Sequence, residues 1–463
     1  MKNYLLSILI LICSTAYSQE GNISSKTSQI VKKIKKVNTY ETAFLPEKTN
    51  SKQLELFDQL KVVATEHELK LLTKHKNGVV RVYALSALEE RNSTGLLDIV
   101  ISHINDKEVI DCISYGYEFV HTVIRKTTVA EKFVRCNSLT SQERFLLDSI
   151  LIYSDNKLTY TQYMLEGFET ISSYYPQIKK LVEKDLNKGA TIALAKYQNK
   201  NDLALIEKRI IQDADMKYTH TAIDIEDAIE YFPDEYFKNT LNELKEKNKW
   251  HYYSASAVFR DSFSVNYLNS SLDQPSKNKY YREQKIKGIY KAIEKYKTPL
   301  YDSILFRIWE DDYFINDSLL TYLLSVDSTK CEKLAFKSLQ KPDEIDNSNL
   351  VLVDLLNFII SVNKDNATQI ISNKLKTVSV HEFRYFSEAS KKVDYQKVSD
   401  ALLERYKGES NGHICIPIVE AILSFKNDEL NNQLLVSIRT NKELNGWGLE
   451  KVKSIIESEG LKI

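Results

Sequence analysis

Glycine and proline are scarce in this chain, with 12 Gly and 7 Pro among 463 residues. Average composition would give several times as many of each. Because these two residues form most tight turns and strand ends, a chain that nearly lacks them favours helices joined by short polar turns. Hydrophobic residues make up 43% and charged residues 27%, which is typical of a folded chain. The sequence therefore predicts an all-α fold.

A short phrase recurs along the chain. A small residue (once Phe) is followed by an aliphatic residue, by an aromatic or aliphatic residue at +4, and by an apolar residue at +13. The copies begin at Ala87-Leu88, Ala193-Leu194, Ala228-Ile229, Ala292-Ile293, Phe358-Ile359 and Ala421-Ile422, and weaker copies begin at Ala257, Leu323 and Ala389. From 193 onward the starts are 29–35 residues apart, which indicates a repeat.

Helix packing explains each position of the phrase. The small residue lets neighbouring helices approach closely, and the +4 residue is expected on the same helix face one turn further on. The +13 residue is expected on the following helix, where it closes the core between the two. A single helix pair of this kind cannot bury both of its faces, so successive pairs should stack.

The segment from Asn77 to Leu88 resembles the second helix of a HEAT repeat, because a polar turn precedes Val80-Arg81 and small and aliphatic residues follow at helical steps. Gly95 to Val100 resembles the first helix of the next unit. This resemblance to HEAT-like, armadillo-type proteins implies an α-solenoid, a right-handed superhelix of antiparallel helix pairs. The predicted solenoid covers residues 51–463, with a degenerate stretch near 105–185.

The first 18 residues have the pattern of a cleavable signal peptide. Lys2 precedes a short apolar run, and Ala16 and Ser18 supply the small residues of a cleavage site. Cys13 follows Ile12 where a lipobox requires a small residue, so we expect no lipid anchor. Residues 19–50 are polar and predict a lead-in and an N-terminal cap. The protein is therefore expected to be exported, to the periplasm or the exterior, without a transmembrane segment.

Four cysteines follow the predicted cleavage site: Cys112, Cys136, Cys331 and Cys415. They lack the spacing and the paired histidines of a zinc site. Cys112 and Cys415 stand in apolar stretches that we interpret as helical, so buried free thiols are predicted. Cys112 and Cys136 are the pair near enough in sequence to form a disulfide, and the sequence leaves that question open.

Charge is balanced overall, with 63 basic and 63 acidic residues. A chain without net charge has no overall electrostatic field that attracts a phosphate backbone, so nucleic acid is not an expected partner. Lys32, Lys33, Lys35 and Lys36 form a local basic run at helical spacing. A solvated face on a capping helix is the simpler interpretation of this run, and contact with a membrane surface or an anionic polymer is the alternative.

No catalytic, nucleotide or metal motif stands out. His67-Glu68 and His381-Glu382 lack the second histidine of a zinc-protease motif, and Asp343 to Asn347 lacks the spacing of a calcium loop. Trp309-Glu310-Asp311-Asp312 is the best local candidate for a sugar site. The other unusual feature is the number of tyrosines, which is 28. Several of them form doublets: Tyr174-Tyr175, Tyr252-Tyr253 and Tyr280-Tyr281. Trp250 to Tyr253 is the aromatic cluster that we single out for binding.

These observations predict an exported, non-enzymatic scaffold that binds a protein or another envelope partner, with no cofactor, no metal and no small-molecule ligand. The contacts are expected on exposed positions of the helices that end near Ala87, Ala193, Ala292 and Ala421. Two alternatives remain open: a carbohydrate-active α/α enzyme, and an immunity or inhibitor protein that captures a toxin or hydrolase.

Overall fold

The computed structural model describes residues 23–43, 51–115, 122–154, 157–215, 224–247, 252–345 and 349–462. The predicted signal peptide, with Cys13, and residues 44–50 lie outside these residues. The chain divides into two compact units, Met1–Asn248 and Lys249–Ile463. Each unit is predominantly helical, as the shortage of glycine and proline predicts.

The described part of the first unit contains thirteen α-helices and three strands. They are α1 (Ser25–Val37), β1 (Thr39–Ala43), α2 (Lys52–Val63), α3 (Glu66–Leu72), α4 (Gly78–Glu90), α5 (Leu96–His103), β2 (Val109–Tyr115), β3 (Thr122–Thr128), α6 (Val129–Phe133), α7 (Ser141–Tyr153), α8 (Thr159–Glu166), α9 (Tyr175–Lys184), α10 (Lys188–Lys196), α11 (Leu203–Ala214), α12 (Asp227–Tyr231) and α13 (Phe237–Lys247).

The described part of the second unit is built from α-helices and short 3-10 turns. The helices are α14 (Tyr253–Ala257), α15 (Ser262–Asp273), α16 (Lys279–Lys295), α17 (Asp302–Asp312), α18 (Asp317–Val326), α19 (Ser328–Leu339), α20 (Asn349–Val362), α21 (Lys364–Thr377), α22 (Val380–Ser390), α23 (Tyr395–Tyr406), α24 (Gly412–Ser424), α25 (Asp428–Thr440) and α26 (Gly446–Ser458).

Helices contact both the next helix and the next but one. In the first unit α8, α10 and α12 follow one another in one row, α9, α11 and α13 in another, and α10 also packs on α9 and α11. In the second unit α20, α22, α24 and α26 form one row, and α21, α23 and α25 form another. This pattern of neighbouring helix pairs is compatible with a helical repeat fold.

The small residues of the recurring phrase are buried. They are Ala87, Ala193, Ala228, Ala292 and Ala421, and the weaker copies at Ala257 and Ala389 are buried too. The apolar residues at +13 are buried on the following helix in every full copy: Val100, Ile206, Leu241, Leu305, Ile371 and Leu434. The burial predicted for these alanines and for the +13 position is thus confirmed.

The +4 residue marks the end of the helix in four of the copies. Tyr197, Phe232, Tyr296 and Phe425 are C-cap residues that stand one turn after the small residue of the phrase. The residue after Tyr197 and the residue after Phe425 have a left-handed backbone, with φ of 51° at both Gln198 and Lys426. An Asn follows each of them and caps the next helical segment.

The same helix ending corrects the register of one weaker copy. Arg260 has a left-handed φ of 53° and Asp261 caps α15, as the corresponding residues do after α10 and α24. In the copies at Ala193 and Ala421 the left-handed residue stands five positions after the small residue. The same spacing from Arg260 makes Ala255 the small residue, with Phe259 at +4 and Leu268 at +13. Ala255 and Leu268 are both buried. The copy assigned to Ala257 therefore begins two residues earlier, and its apparent mismatch at Asp261 disappears.

A three-stranded sheet interrupts the helices of the first unit. β1 pairs with β2 in parallel and β2 pairs with β3 antiparallel, in the order β1-β2-β3. The sheet uses residues from the predicted lead-in and from the degenerate stretch near 105–185. Cys112 therefore lies in a strand, so its assignment to a helix is wrong. The run Ile110 to Ile113 is too short for periodicity alone to separate a buried strand from a helix.

All four cysteines are free, buried thiols, so the pair Cys112 and Cys136 forms no disulfide. Burial raises the pKa of the Cys136 and Cys415 thiols to about 12 and that of Cys331 to about 11. Burial raises the pKa of Cys112 as well, although Lys132 nearby opposes the shift.

Helix α4 is the centre of the first unit, because it contacts α1, α2, α3, α6, β1 and β2. Every residue from Gly78 to Leu85 is buried, including the charged Arg81. The Arg81 guanidinium donates to the carbonyl of His75 (2.6 Å) and to Glu108 (2.6 Å), and the other Glu108 oxygen accepts from the Gly78 amide (2.7 Å). One buried cation thus joins the start of α4 to the chain entering β2.

Two glycines set the closest helix approaches. On α10, a Cβ at Gly189 would overlap the backbone carbonyl of Gln162 on α8. On α24, a Cβ at Gly412 would lie 2.9 Å from the Cα of Gly448 on α26. Both helices carry the recurring phrase, so these glycines stand where helices of one row nearly touch.

Replacing Gly189 with Ala should lower the stability of the first unit by about 1–3 kcal/mol, because the new methyl group overlaps backbone that cannot rotate away. Hydrogen exchange of the α8 and α10 amides would report the loss. Gly167→Ala in the same unit is the matched control, since its nearest neighbours would lie 3.9 Å away. Equal stability of the two variants would contradict this account of the packing.

Glu68 holds the starts of two helices. Its carboxylate accepts from the Thr65 amide (2.7 Å) and completes a capping box on α3, and it also accepts from the Ser24 amide (2.6 Å) at the N-cap of α1. Burial alone would raise the pKa of Glu68, but the hydrogen bonds from Thr65 and Ser24 outweigh it and lower the pKa to about 2.

Glu68→Gln should destabilise α1 and α3 by about 1–3 kcal/mol at neutral pH, because a charge-assisted acceptor is lost. Because the pKa of Glu68 is lower in the folded chain than in the unfolded chain, its carboxylate stabilises the fold at pH values above 4.5, the unfolded pKa. This stabilisation is lost as the pH falls from 4.5 to about 2. Hydrogen exchange measured against pH should show the variant and the native chain converging over that range. Glu66→Gln, at an exposed position of the same turn, removes only a surface ion pair with Lys70 and should have a much smaller effect.

Candidate interaction surface

The helices expected to carry the binding positions are mostly enclosed. In α4 the buried residues run from Gly78 to Leu85 and include Ala87 and Leu88, and in α10 they run from Lys188 to Ala195. Because both helices have neighbours on several sides, few of their side chains reach solvent. The expectation that their exposed positions form a contact surface is therefore wrong for α4 and α10.

The residues from Trp309 to Asp312, the candidate sugar site, do not form a binding site. Trp309 is 1% exposed, and its indole N–H donates to the Ser338 hydroxyl (2.9 Å) inside the second unit. Both carboxylate oxygens of Asp312 accept from the Arg282 guanidinium at 2.7 Å, while Glu310 is exposed. The tryptophan is thus unavailable for stacking on a ligand, and Asp312 joins α17 to α16.

Asp312→Asn should lower the free energy of unfolding of the second unit by about 1–3 kcal/mol, because the bidentate ion pair with the partly buried Arg282 is lost. Glu310→Gln should change it by less than about 0.5 kcal/mol, since that side chain is exposed. Urea unfolding of both variants measures the contrast. A larger effect of Glu310→Gln would show that the carboxylate with the structural role has been misassigned.

The tyrosine doublets have different environments. Tyr252 and Tyr253 are buried, and Trp250 and His251 of the same cluster lie outside the described residues. Tyr174 is buried, whereas Tyr175 is half-buried and donates to Asp202 (2.7 Å). In the third doublet, Tyr280 and Tyr281 are both exposed at the start of α16, with ring centroids 5.6 Å apart.

The remaining polar candidates form no site in the described chain. Asp343 and Glu344 lie in a 3-10 turn, where Glu344 pairs with Lys341 (3.0 Å), and Asp346 and Asn347 lie outside the described residues. No group of three potential metal ligands occurs among the residues described. Lys32, Lys33 and Lys36 are exposed on α1, opposite the buried Ile30 and Ile34.

An apolar surface that sequence reasoning missed lies on α7. Phe145, Leu146 and Tyr153 are 54%, 48% and 57% exposed, and Phe145 and Tyr153 are two helical turns apart on one face. The Tyr153 ring packs edge-on against Tyr174 with centroids 5.9 Å apart, and Tyr174 in turn meets Phe168 at 5.5 Å. We call these five side chains the α7 aromatic face.

Polar anchors hold the α7 aromatic face in place. Thr140 and Glu143 form a capping box at the start of α7. The Arg144 guanidinium donates to the carbonyls of Val134 (2.7 Å) and Cys136, and the Ser149 and Tyr174 hydroxyls lie 2.5 Å apart. Because α7 is fixed on both flanks, its exposed side chains stand on a rigid support.

The sequence does carry a signal for this surface. From Phe145 to Tyr153 apolar residues occupy all positions except Asp148 and Ser149, which is more than one buried face requires. The core side of α7 uses only Leu147, Leu151 and Ile152. The excess of apolar residues was overlooked because the recurring phrase is lost in this region.

No family model matches the chain, and neither a curated protein nor a solved structure is significantly similar to it. Among the described residues, no helix has the length and apolarity that crossing a bilayer requires. The interpretation of function therefore rests on the geometry above.

Proposed function

We propose that this protein is a HEAT-like helical repeat scaffold that binds a protein partner through the α7 aromatic face. The recurring phrase, the burial of its alanines and the contacts between alternate helices support the repeat architecture. The pattern of residues 1–18 supports export, so the partner is sought in the cell envelope or outside the cell.

The exposure of Phe145, Leu146 and Tyr153 on one helix carries this proposal. Single exposed apolar residues are common on soluble proteins, but a cluster of large ones backed by further aromatic rings is typical of an interface. Phe and Tyr provide much contact area with few rotatable bonds, and the Tyr hydroxyl can make a hydrogen bond at the rim.

The rigid support strengthens the proposal. Binding loses free energy when mobile side chains must be ordered, at roughly 0.5–1.5 kcal/mol for each flexible side chain. Arg144 and Ser149 already fix α7 and Tyr174 in position, so a partner would meet a surface that needs little reorganisation. Enclosed helices such as α10 support this surface indirectly, because they hold in position the helices that pack against α7.

Site-specific photocrosslinking in the producing cells tests the proposal. A photoreactive residue placed at Phe145 or at Tyr153 should capture the same protein, since the two positions share one face of α7. Val62 on α2 is the matched control, because it is 84% exposed but lies outside the α7 aromatic face. Capture at Val62 with equal yield, or no adduct at either α7 position, would contradict the proposed surface.

Substitutions measure how much Phe145 and Tyr153 contribute to the binding free energy. Phe145→Ser with Tyr153→Ser should weaken the captured complex by about 2 kcal/mol or more, as expected for central interface aromatics. The melting temperature should change little, because both side chains are more than half exposed. Val62→Ser should leave both quantities unchanged.

A further inference from the structure

The two edges of the sheet in the first unit differ in how their backbone groups are satisfied. At the β1 edge, the Gln53 side chain donates to the Thr39 carbonyl (2.6 Å), and the Glu41 amide donates to the Tyr83 hydroxyl (2.8 Å). Side chains from α2 and α4 therefore cover this edge. Covering an edge in this way prevents further strands from adding to it.

Among the described residues, no side chain covers the β3 edge in this way. The Val129 amide donates to the Glu108 carbonyl (2.9 Å). Glu108 and Val129 are opposite residues, one position beyond the pair Val109 and Thr128, and they are therefore a directly hydrogen-bonded pair. Because directly bonded pairs alternate along an antiparallel ladder, the backbone groups of Arg125 and Thr127 face β2. Those of Ile124 and Lys126 therefore point away from the sheet. Neither residue has a further hydrogen-bond partner among the described residues.

The side chains of this edge combine apolar and basic character. Ile124 is 70% exposed, and Val109 on the same face of the sheet is 58% exposed. Arg125 and Lys126 are also exposed, and neither forms an ion pair within the described chain. Two cations thus follow an exposed β-branched residue on a strand whose outer edge has no partner among the described residues.

We propose that the β3 edge binds an extended acidic segment of another protein by β-sheet augmentation. The free backbone groups of Ile124 and Lys126 would continue the ladder. Arg125 and Lys126 lie on opposite faces of the sheet, so the carboxylates of an added strand would meet Lys126 on one face or Arg125 on the other. A second copy of this chain is a poor occupant, because antiparallel pairing of β3 with itself would bring these like charges together. This surface is separate from the α7 aromatic face, and the inference does not rest on the function proposed above.

Hydrogen exchange on the full chain tests the backbone pairing. The probe is a short synthetic peptide of alternating Val and Glu, and a peptide of alternating Val and Lys is the control. The acidic peptide should slow exchange of the Ile124 and Lys126 amides, which it would bond, and leave the Arg125 amide nearly unchanged. The basic peptide should have no effect. Equal protection by both peptides, or no protection of either outward amide, would overturn the proposal.

Variants separate the backbone contribution from charge. Ile124→Pro removes one outward N–H while retaining the bonds to β2, and should weaken binding of the acidic peptide by about tenfold or more. Arg125→Gln with Lys126→Gln leaves the strand intact and should weaken it by about fivefold or more. Should the proline variant fail to fold, the glutamine variant still decides the question.

Two further outcomes count against the proposal. If the native chain forms dimers that Ile124→Pro abolishes, the edge is occupied by a second copy rather than by an acidic partner. If the glutamine variant binds the acidic peptide as tightly as the native chain does, the cations play no part in choosing the strand.

Discussion

Close contact between small residues is the constraint on which the helix rows depend. Gly189 meets the backbone of α8, and Gly412 meets Gly448, so helices of one row approach to a distance that no side chain could occupy. Buried alanines such as Ala193 and Ala421 extend these contacts along the same helices. Since packed interiors tolerate little added volume, the positions of neighbouring helices follow from these few sites.

The first unit adds a polar constraint to this packing. Helix α4 is buried on several sides, yet it carries Arg81, whose guanidinium donates to the His75 carbonyl and pairs with the carboxylates of Asp106 and Glu108. Glu68 is also buried and has a comparable role, because it joins the starts of α1 and α3. Charged groups therefore connect the N-terminal elements to one another.

The sequence predicted the helices better than the sheet. Composition and the phrase identified the helical fold and the buried positions, because both follow from local pattern. The helices end near Ala193 and Ala421 as expected, and Gln198 and Lys426 then adopt a left-handed backbone that glycine usually adopts. The strand at Cys112 was missed because its pairing with β1 and β3 is a long-range contact that no local pattern encodes. The α7 aromatic face was detectable from its surplus of apolar residues, but only tertiary structure shows which of them stay exposed.

The buried thiols bear on how this chain would survive an oxidising compartment. Disulfide exchange requires a thiolate, and burial places the pKa values of Cys136, Cys331 and Cys415 at about 11 to 12. In the folded protein these three thiols are therefore unreactive and shielded from oxidants and from one another. An unfolded chain has ordinary, accessible thiols and can be trapped by incorrect crosslinks. If the protein is exported as proposed, folding would protect these thiols against oxidation.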